Sequence, residues 1–231
     1  MHIKGWVKAS LIDYPGRIAA SLFCGGCNFR CPSCQNGHLV LHPNDYADVP
    51  GSEIWSFLEA RTGLLDGVVI SGGEPTLQAD LITFAARVHE MGFLVKLDTN
   101  GYLPGVIQAM IDAGAVDCVA MDVKAPLEKY SLAAGVDLDV SRICHSIDVL
   151  RSGRVAYEFR TTIVPGVLVE DDVVQVAQLI AGASRYYLQQ FSPQDTLDPE
   201  MLTCIPYLPS RIQAMADLAS QWVREVGVRG I

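Results

Sequence analysis

Apolar and polar positions along the chain switch repeatedly between two periods. Short, largely apolar runs recur at Ile18–Phe23, Gly67–Ser71, Phe93–Asp98, Asp117–Val123, Val155–Val164 and Arg185–Phe191. Each has the length of a strand and is flanked by turn residues. Between them, apolar residues at every third or fourth position predict helices over Ser52–Arg61, Ala79–Met91, Pro104–Ala113, Ser141–Ser152 and Asp171–Ala181, with a last helix over Ser210–Val226. Gly114 and Gly153 follow two of these helices at the position where a left-handed residue closes a helix. Strands alternating with helices require right-handed parallel crossovers. Eight such units need about 250 residues, and six are countable in 231. The pattern therefore predicts an α/β fold, a partial (β/α)6 TIM-like barrel of parallel strands with outer helices. One domain is expected over residues 1–231, with an extension at 1–17 that turns at Pro15-Gly16, a barrel core at 18–191, and a loop and helix at 192–231.

Strands covered on both faces should be apolar on both, and several of these are not. Alternation puts Lys96 and Asp98 on one face opposite Val95 and Leu97, and Asp122 and Lys124 opposite Met121 and Val123. Glu158, Arg160 and Thr162 likewise oppose Tyr157, Phe159 and Ile163. Buried charges need partners or a ligand. They form either an ion-pair network across the lumen or a polar site at the strands' C-terminal ends, where such folds place their chemistry.

Composition narrows the class. A net charge of −9 argues against a general nucleic-acid binder. No apolar run reaches the length of a membrane span, and the first residues lack the apolar core of a signal peptide, so a cytoplasmic protein is expected. Three of the seven cysteines, Cys118, Cys144 and Cys204, are scattered singly and read as small core residues.

The other four crowd into Cys24-Gly25-Gly26-Cys27-Asn28-Phe29-Arg30-Cys31-Pro32-Ser33-Cys34, directly after the first strand. A disulfide pair does not suit a reducing compartment. A zinc site could use Cys24/Cys27 and Cys31/Cys34, although zinc ribbons separate their pairs by about fifteen residues or more. An iron–sulfur cluster could use Cys27, Cys31 and Cys34, leaving one iron open to a ligand.

Six ordered segments resemble one family. Ser10–Gly16 (SLIDYPG), Gly26–Cys34 (GCNFRCPSC), Ser71–Gln78 (SGGEPTLQ), Lys96–Gly101 (KLDTNG), Met121–Pro126 (MDVKAP) and Phe159–Gly166 (FRTTIVPG) are similar to the radical S-adenosylmethionine enzymes. Within that superfamily they most resemble the activating proteins of anaerobic ribonucleotide reductase and other glycyl-radical enzymes. The resemblance implies that Cys27, Cys31 and Cys34 ligate a 4Fe–4S cluster whose open iron is chelated by S-adenosylmethionine. It implies that Gly72, Gly73 and Glu74 hold the methionine amino group, that Asp122 and Lys124 contact ribose and carboxylate, and that Arg160 is a further carboxylate partner. Asp98-Thr99 matches a monovalent-cation position of a related activase. The implied reaction is reductive cleavage of the sulfonium to a 5′-deoxyadenosyl radical, with a flavodoxin- or ferredoxin-type reductant and a glycyl-radical enzyme as partner.

Two residues depart from the family pattern. Ser33 stands where an aromatic residue or His commonly precedes the third cysteine, with Phe29 as the nearby substitute, and Cys24 is an additional thiol. Rival readings are a small-molecule enzyme like 7-carboxy-7-deazaguanine synthase, a modifier of another protein, or a non-enzymatic electron carrier or zinc-stabilised interaction domain using Cys24 as fourth ligand.

Overall fold

The apolar runs fold into eight strands rather than six. The computed structural model describes residues Met1–Ile231. The strands are β1 (Ile3–Ser10), β2 (Ala19–Cys24), β3 (Gly67–Gly72), β4 (Leu94–Thr99), β5 (Cys118–Asp122), β6 (Ala156–Ile163), β7 (Arg185–Gln190) and β8 (Glu225–Arg229). The helices are α1 (Gly37–Leu41), α2 (Gly51–Glu59), α3 (Leu81–Glu90), α4 (Pro104–Asp112), α5 (Tyr130–Ala134), α6 (Ser141–Arg151), α7 (Glu170–Leu179) and α8 (Pro209–Ala219). No helix is long and apolar enough to cross a membrane.

The chain divides into two compact units. The first comprises residues 1–28, 38–99 and 105–119, with β1 to β4 and the start of β5. Its parallel strands are buried along nearly their whole length: Ala20, Leu22, Val68, Ile70, Val95 and Leu97 are sealed from solvent. That is why they read as continuous apolar runs. α2 covers them with Ile54 and Leu58, and α3 with Leu81, Ala85 and Val88, residues at three- and four-residue spacing. Residues 1–17, expected as an extension, carry β1, which pairs antiparallel to β2 with Trp6 opposite Leu22. The expected turn joins them, the Arg17 N–H donating to the Tyr14 carbonyl at 3.0 Å. β1 escapes the apolar pattern because Val7, Lys8 and Ala9 remain exposed.

The second unit comprises residues 29–37, 100–104 and 120–231, with the end of β5 and β6 to β8. β6, β7 and β8 are parallel neighbours, Thr162 opposite Gln189 and Gln189 opposite Arg229. The last helix stops at Ala219 instead of continuing to Val226. The chain then returns along β7, with the Arg224 N–H donating to the Ala183 carbonyl at 3.1 Å. Val226 and Val228 alternate with Glu225, Gly227 and Arg229, a period of two that a helix cannot use.

Candidate active site

In the first unit, the end of β2 and the end of β3 lie side by side, Cys24 opposite Gly72. The loop leaving β2 is fixed by its backbone: the Gly25 N–H donates to His2 O (3.0 Å) and the Gly26 N–H to Leu39 O (2.9 Å). Onto it docks the loop leaving β3, with the Gly73 N–H on Cys24 O and the Glu74 N–H on Gly26 O, both at 2.8 Å. The fit requires glycine twice. Gly72 has φ +108°, and a Cβ on Gly73 would fall 1.9 Å from the Gly26 carbonyl oxygen. Two glycines thus let one loop's backbone lie directly on the backbone beside Cys27.

Glu74 is buried beneath this junction. Its Oε1 accepts the Thr76 amide (3.1 Å), the Thr76 hydroxyl and the Thr99 hydroxyl (2.7 Å). Thr76 is a site neighbour the sequence did not mark; Glu74 caps the short 3-10 turn Pro75–Leu77 by accepting the Thr76 amide. Asp98 pairs with the buried Lys96 two residues earlier on the same face, as alternation requires. Cys24 is a buried strand residue whose thiol is pushed up to about 12, first by burial and then by the charge of Glu74. It is a neutral core thiol.

In the second unit, Cys31 and Cys34 sit on a tight turn, the Cys34 N–H donating to Cys31 O at 3.0 Å. The Arg30 N–H donates to Ala134 O at 2.8 Å, and a Cβ at Gly135 would meet Arg30 O at 2.0 Å. α5 thereby holds the turn from one side. Phe29 is buried with its ring centroid 5.7 Å from that of Tyr102.

Asp122 ends β5 as the hub of a charge cluster. Its Oδ2 accepts Lys124 Nζ and its Oδ1 accepts Arg160 Nε, each at 2.8 Å. Burial alone would raise the carboxyl's pKa, but Arg160 and Lys124 outweigh it and hold the group well below the usual carboxylate range. Lys124 is correspondingly kept charged, Asp122 and Cys31 overcoming its desolvation. For Cys31 burial pushes the thiol up while Lys124 pulls it down. Glu158 lies deeper on β6 and pairs with Arg229 of β8 through both oxygens, at 2.7 and 2.8 Å. Ion pairs thus hold Lys96 with Asp98, Asp122 with Lys124 and Arg160, and Glu158 with Arg229. Asp122, Lys124 and Arg160 are partly accessible at the strand ends, and Glu158 is sealed.

Cys27, Cys31 and Cys34 are half-buried, whereas Cys24 is fully enclosed.

A family model described as the radical SAM superfamily matches residues 21–180. A Methanocaldococcus jannaschii protein, named provisionally as a glycyl-radical enzyme activating enzyme, is 35% identical over 99% of this chain and 96% of its own length. The 7-carboxy-7-deazaguanine synthase of Neisseria meningitidis is 29% identical over 58% of each chain. Among solved structures, SuiB of Streptococcus suis bound to S-adenosylmethionine superposes with a TM-score of 0.68 at 11% identity, covering 89% of this chain and 48% of that one. That likeness shows the fold, in agreement with the partial barrel expected from the alternating pattern.

Proposed function

The chain belongs to the radical S-adenosylmethionine superfamily, and on that premise we propose that it activates a glycyl-radical enzyme. The family works with a 4Fe–4S cluster and S-adenosylmethionine. Together these supply one-electron cleavage of the sulfonium and a 5′-deoxyadenosyl radical able to remove a hydrogen atom from carbon.

The chain's own residues would bind and orient these groups. Cys27, Cys31 and Cys34 would each ligate one iron, and the fourth iron would take the amino and carboxylate groups of S-adenosylmethionine. The Gly72-Gly73-Glu74 backbone, pressed on the loop beside Cys27, would hold the amino group. Glu74 itself is locked by Thr76 and Thr99, so the loop meets the cofactor already ordered. Lys124 and Arg160 would receive the carboxylate and Asp122 the ribose, their mutual pairing fixing all three before binding. Thr99 beside Asp98 would form the monovalent-cation position, with its hydroxyl shared with Glu74. Cys24 is left outside the ligand set by its burial.

The observation that carries the activase reading is the match to the Methanocaldococcus jannaschii protein along the full chain. The match to the deazaguanine synthase covers 58% of this chain and supports the superfamily more than the substrate. Anaerobic ribonucleotide reductase is the proposed partner, and a flavodoxin- or ferredoxin-type protein the proposed reductant. The test is electron paramagnetic resonance after anaerobic reconstitution, reduction and mixing with the anaerobic ribonucleotide reductase of the same organism. A glycyl-radical signal dependent on S-adenosylmethionine is expected. Turnover of a small molecule with no protein radical would overturn the activase reading.

A further inference from the structure

The segment between β7 and α8 joins the cysteine turn to an exposed apolar row. At its start it is bonded to that turn: the Leu197 N–H donates to Cys34 O (2.9 Å), the Asp198 N–H to Pro32 O (3.0 Å) and Gln35 Nε2 to Ser192 O (3.3 Å). The approach is close enough that a Cβ on Gly37 would meet the Leu197 backbone at 3.0 Å. Its far end is pinned too. Tyr207 Oη donates to Leu168 O at 3.1 Å, and Gln190 Nε2 donates to Tyr207 O at 3.0 Å.

Between these anchors half-buried and exposed positions recur every three residues. A 3-10 turn spans Pro199–Thr203, and the chain continues extended, Cys204 at φ −71°, ψ 124° and Leu208 at φ −61°, ψ 144°. Pro206 and Pro209 disfavour the helical region for the residues before them, and Leu208 has the extended, polyproline-like form. A 3-10 turn and a polyproline helix both return to the same face after three residues. Accordingly Met201, Cys204 and Tyr207 are half-buried. Leu202, Ile205 and Leu208 form the opposite row, exposed by 49%, 83% and 72%. Isolated exposed aliphatic residues are ordinary. Three at a fixed period on a stiff, doubly anchored segment are a ridge.

We propose that this ridge is the docking element for the protein substrate, resting on the activase reading above. A partner that presents a glycine to the chemistry must settle on the loops around the cysteine turn, and the ridge is continuous with that turn through two backbone hydrogen bonds. The occupant is a surface with two apolar sockets about 9 Å apart, the three-residue repeat of a polyproline helix, seating Ile205 and Leu208. The prolines keep the ridge ordered in the free protein, so little conformational entropy is lost on docking. Docking there would also brace the backbone that carries Cys31 and Cys34.

The test uses the double variant Ile205→Glu, Leu208→Ser; both side chains are largely exposed, and serine is a favourable residue at the N-cap of α8. Activation is measured on two probes, the purified anaerobic ribonucleotide reductase of the same organism and a synthetic peptide carrying its radical-site glycine. We expect KM for the whole reductase to rise at least about tenfold in the variant, with kcat and KM on the peptide unchanged. A variant that keeps the wild-type KM for the whole reductase overturns the ridge alone and leaves the activase reading intact. A wild-type dimer in solution that the variant abolishes assigns the ridge to a second copy and also overturns it. Wild-type protein that cleaves S-adenosylmethionine yet activates neither probe removes both proposals.

Discussion

At the scale of single residues, the junction of Gly73 with Gly26 is the contact on which the proposed cofactor-binding role depends most. A methyl group at Gly73 would stand 1.9 Å from the Gly26 oxygen, so the two loops must separate. Misplacement of about 1 Å in a positioning group can lower rate about a hundredfold. Gly73→Ala is therefore expected to lose 5′-deoxyadenosine formation by about that factor while retaining its iron, measured by chromatography and metal analysis. The cysteines divide differently. Iodoacetamide at pH 8 should label Cys27 and Cys34 in the cluster-free protein ahead of Cys31, whose thiol burial pushes up, and spare Cys24, which is enclosed and whose thiol is pushed up to about 12. Cys24→Ala should keep the cluster, and alanine at any of the other three should lose it; cluster loss on Cys24→Ala would favour a four-thiolate site. Much at this scale was legible in the sequence. Alternation placed Asp122 with Lys124 and Lys96 with Asp98 on shared faces, and both pairs are bonded as ion pairs. The grip of Thr99 on Glu74 was not legible, because it links β4 to the loop after β3 and depends on strand register.

At the scale of elements, the interior strands were legible and the outermost ones were not. β2 to β5 are buried on both faces and announce themselves as apolar runs. β1 and β8 have exposed or half-exposed residues along most of their length, and their mixed composition hid them. Missing β8 also hid the partner of Glu158. Arg229 reaches that sealed carboxylate from the last strand and stacks 3.6 Å from the Tyr187 ring centroid. Removing one partner of a buried pair costs roughly 3–5 kcal/mol. Arg229→Met should lower unfolding free energy by about the lower end of that range, since the arginine is itself partly exposed. Urea denaturation of this variant and of the double variant with Glu158→Gln provides the check. Recovery of most of the loss in the double variant is expected, and equal losses in both would contradict an electrostatic origin.

At the scale of the whole molecule, six motifs in chain order point to the superfamily, and the family match over residues 21–180 agrees with them. What the radical strikes was less legible, because the residues proposed to hold the cofactor would contact S-adenosylmethionine and not the substrate. The proposed docking row lies on the 192–209 strap, whose threefold period is invisible to a search for periods of two or 3.6. The central claim is that three thiolates of one loop leave an iron open for S-adenosylmethionine. Electron–nuclear double resonance on the reduced protein, with S-adenosylmethionine isotopically labelled at its amino nitrogen, tests this most directly. A hyperfine coupling between that nitrogen and the cluster is predicted. A reduced cluster with no such coupling, and with Cys24 required for its assembly, would contradict it.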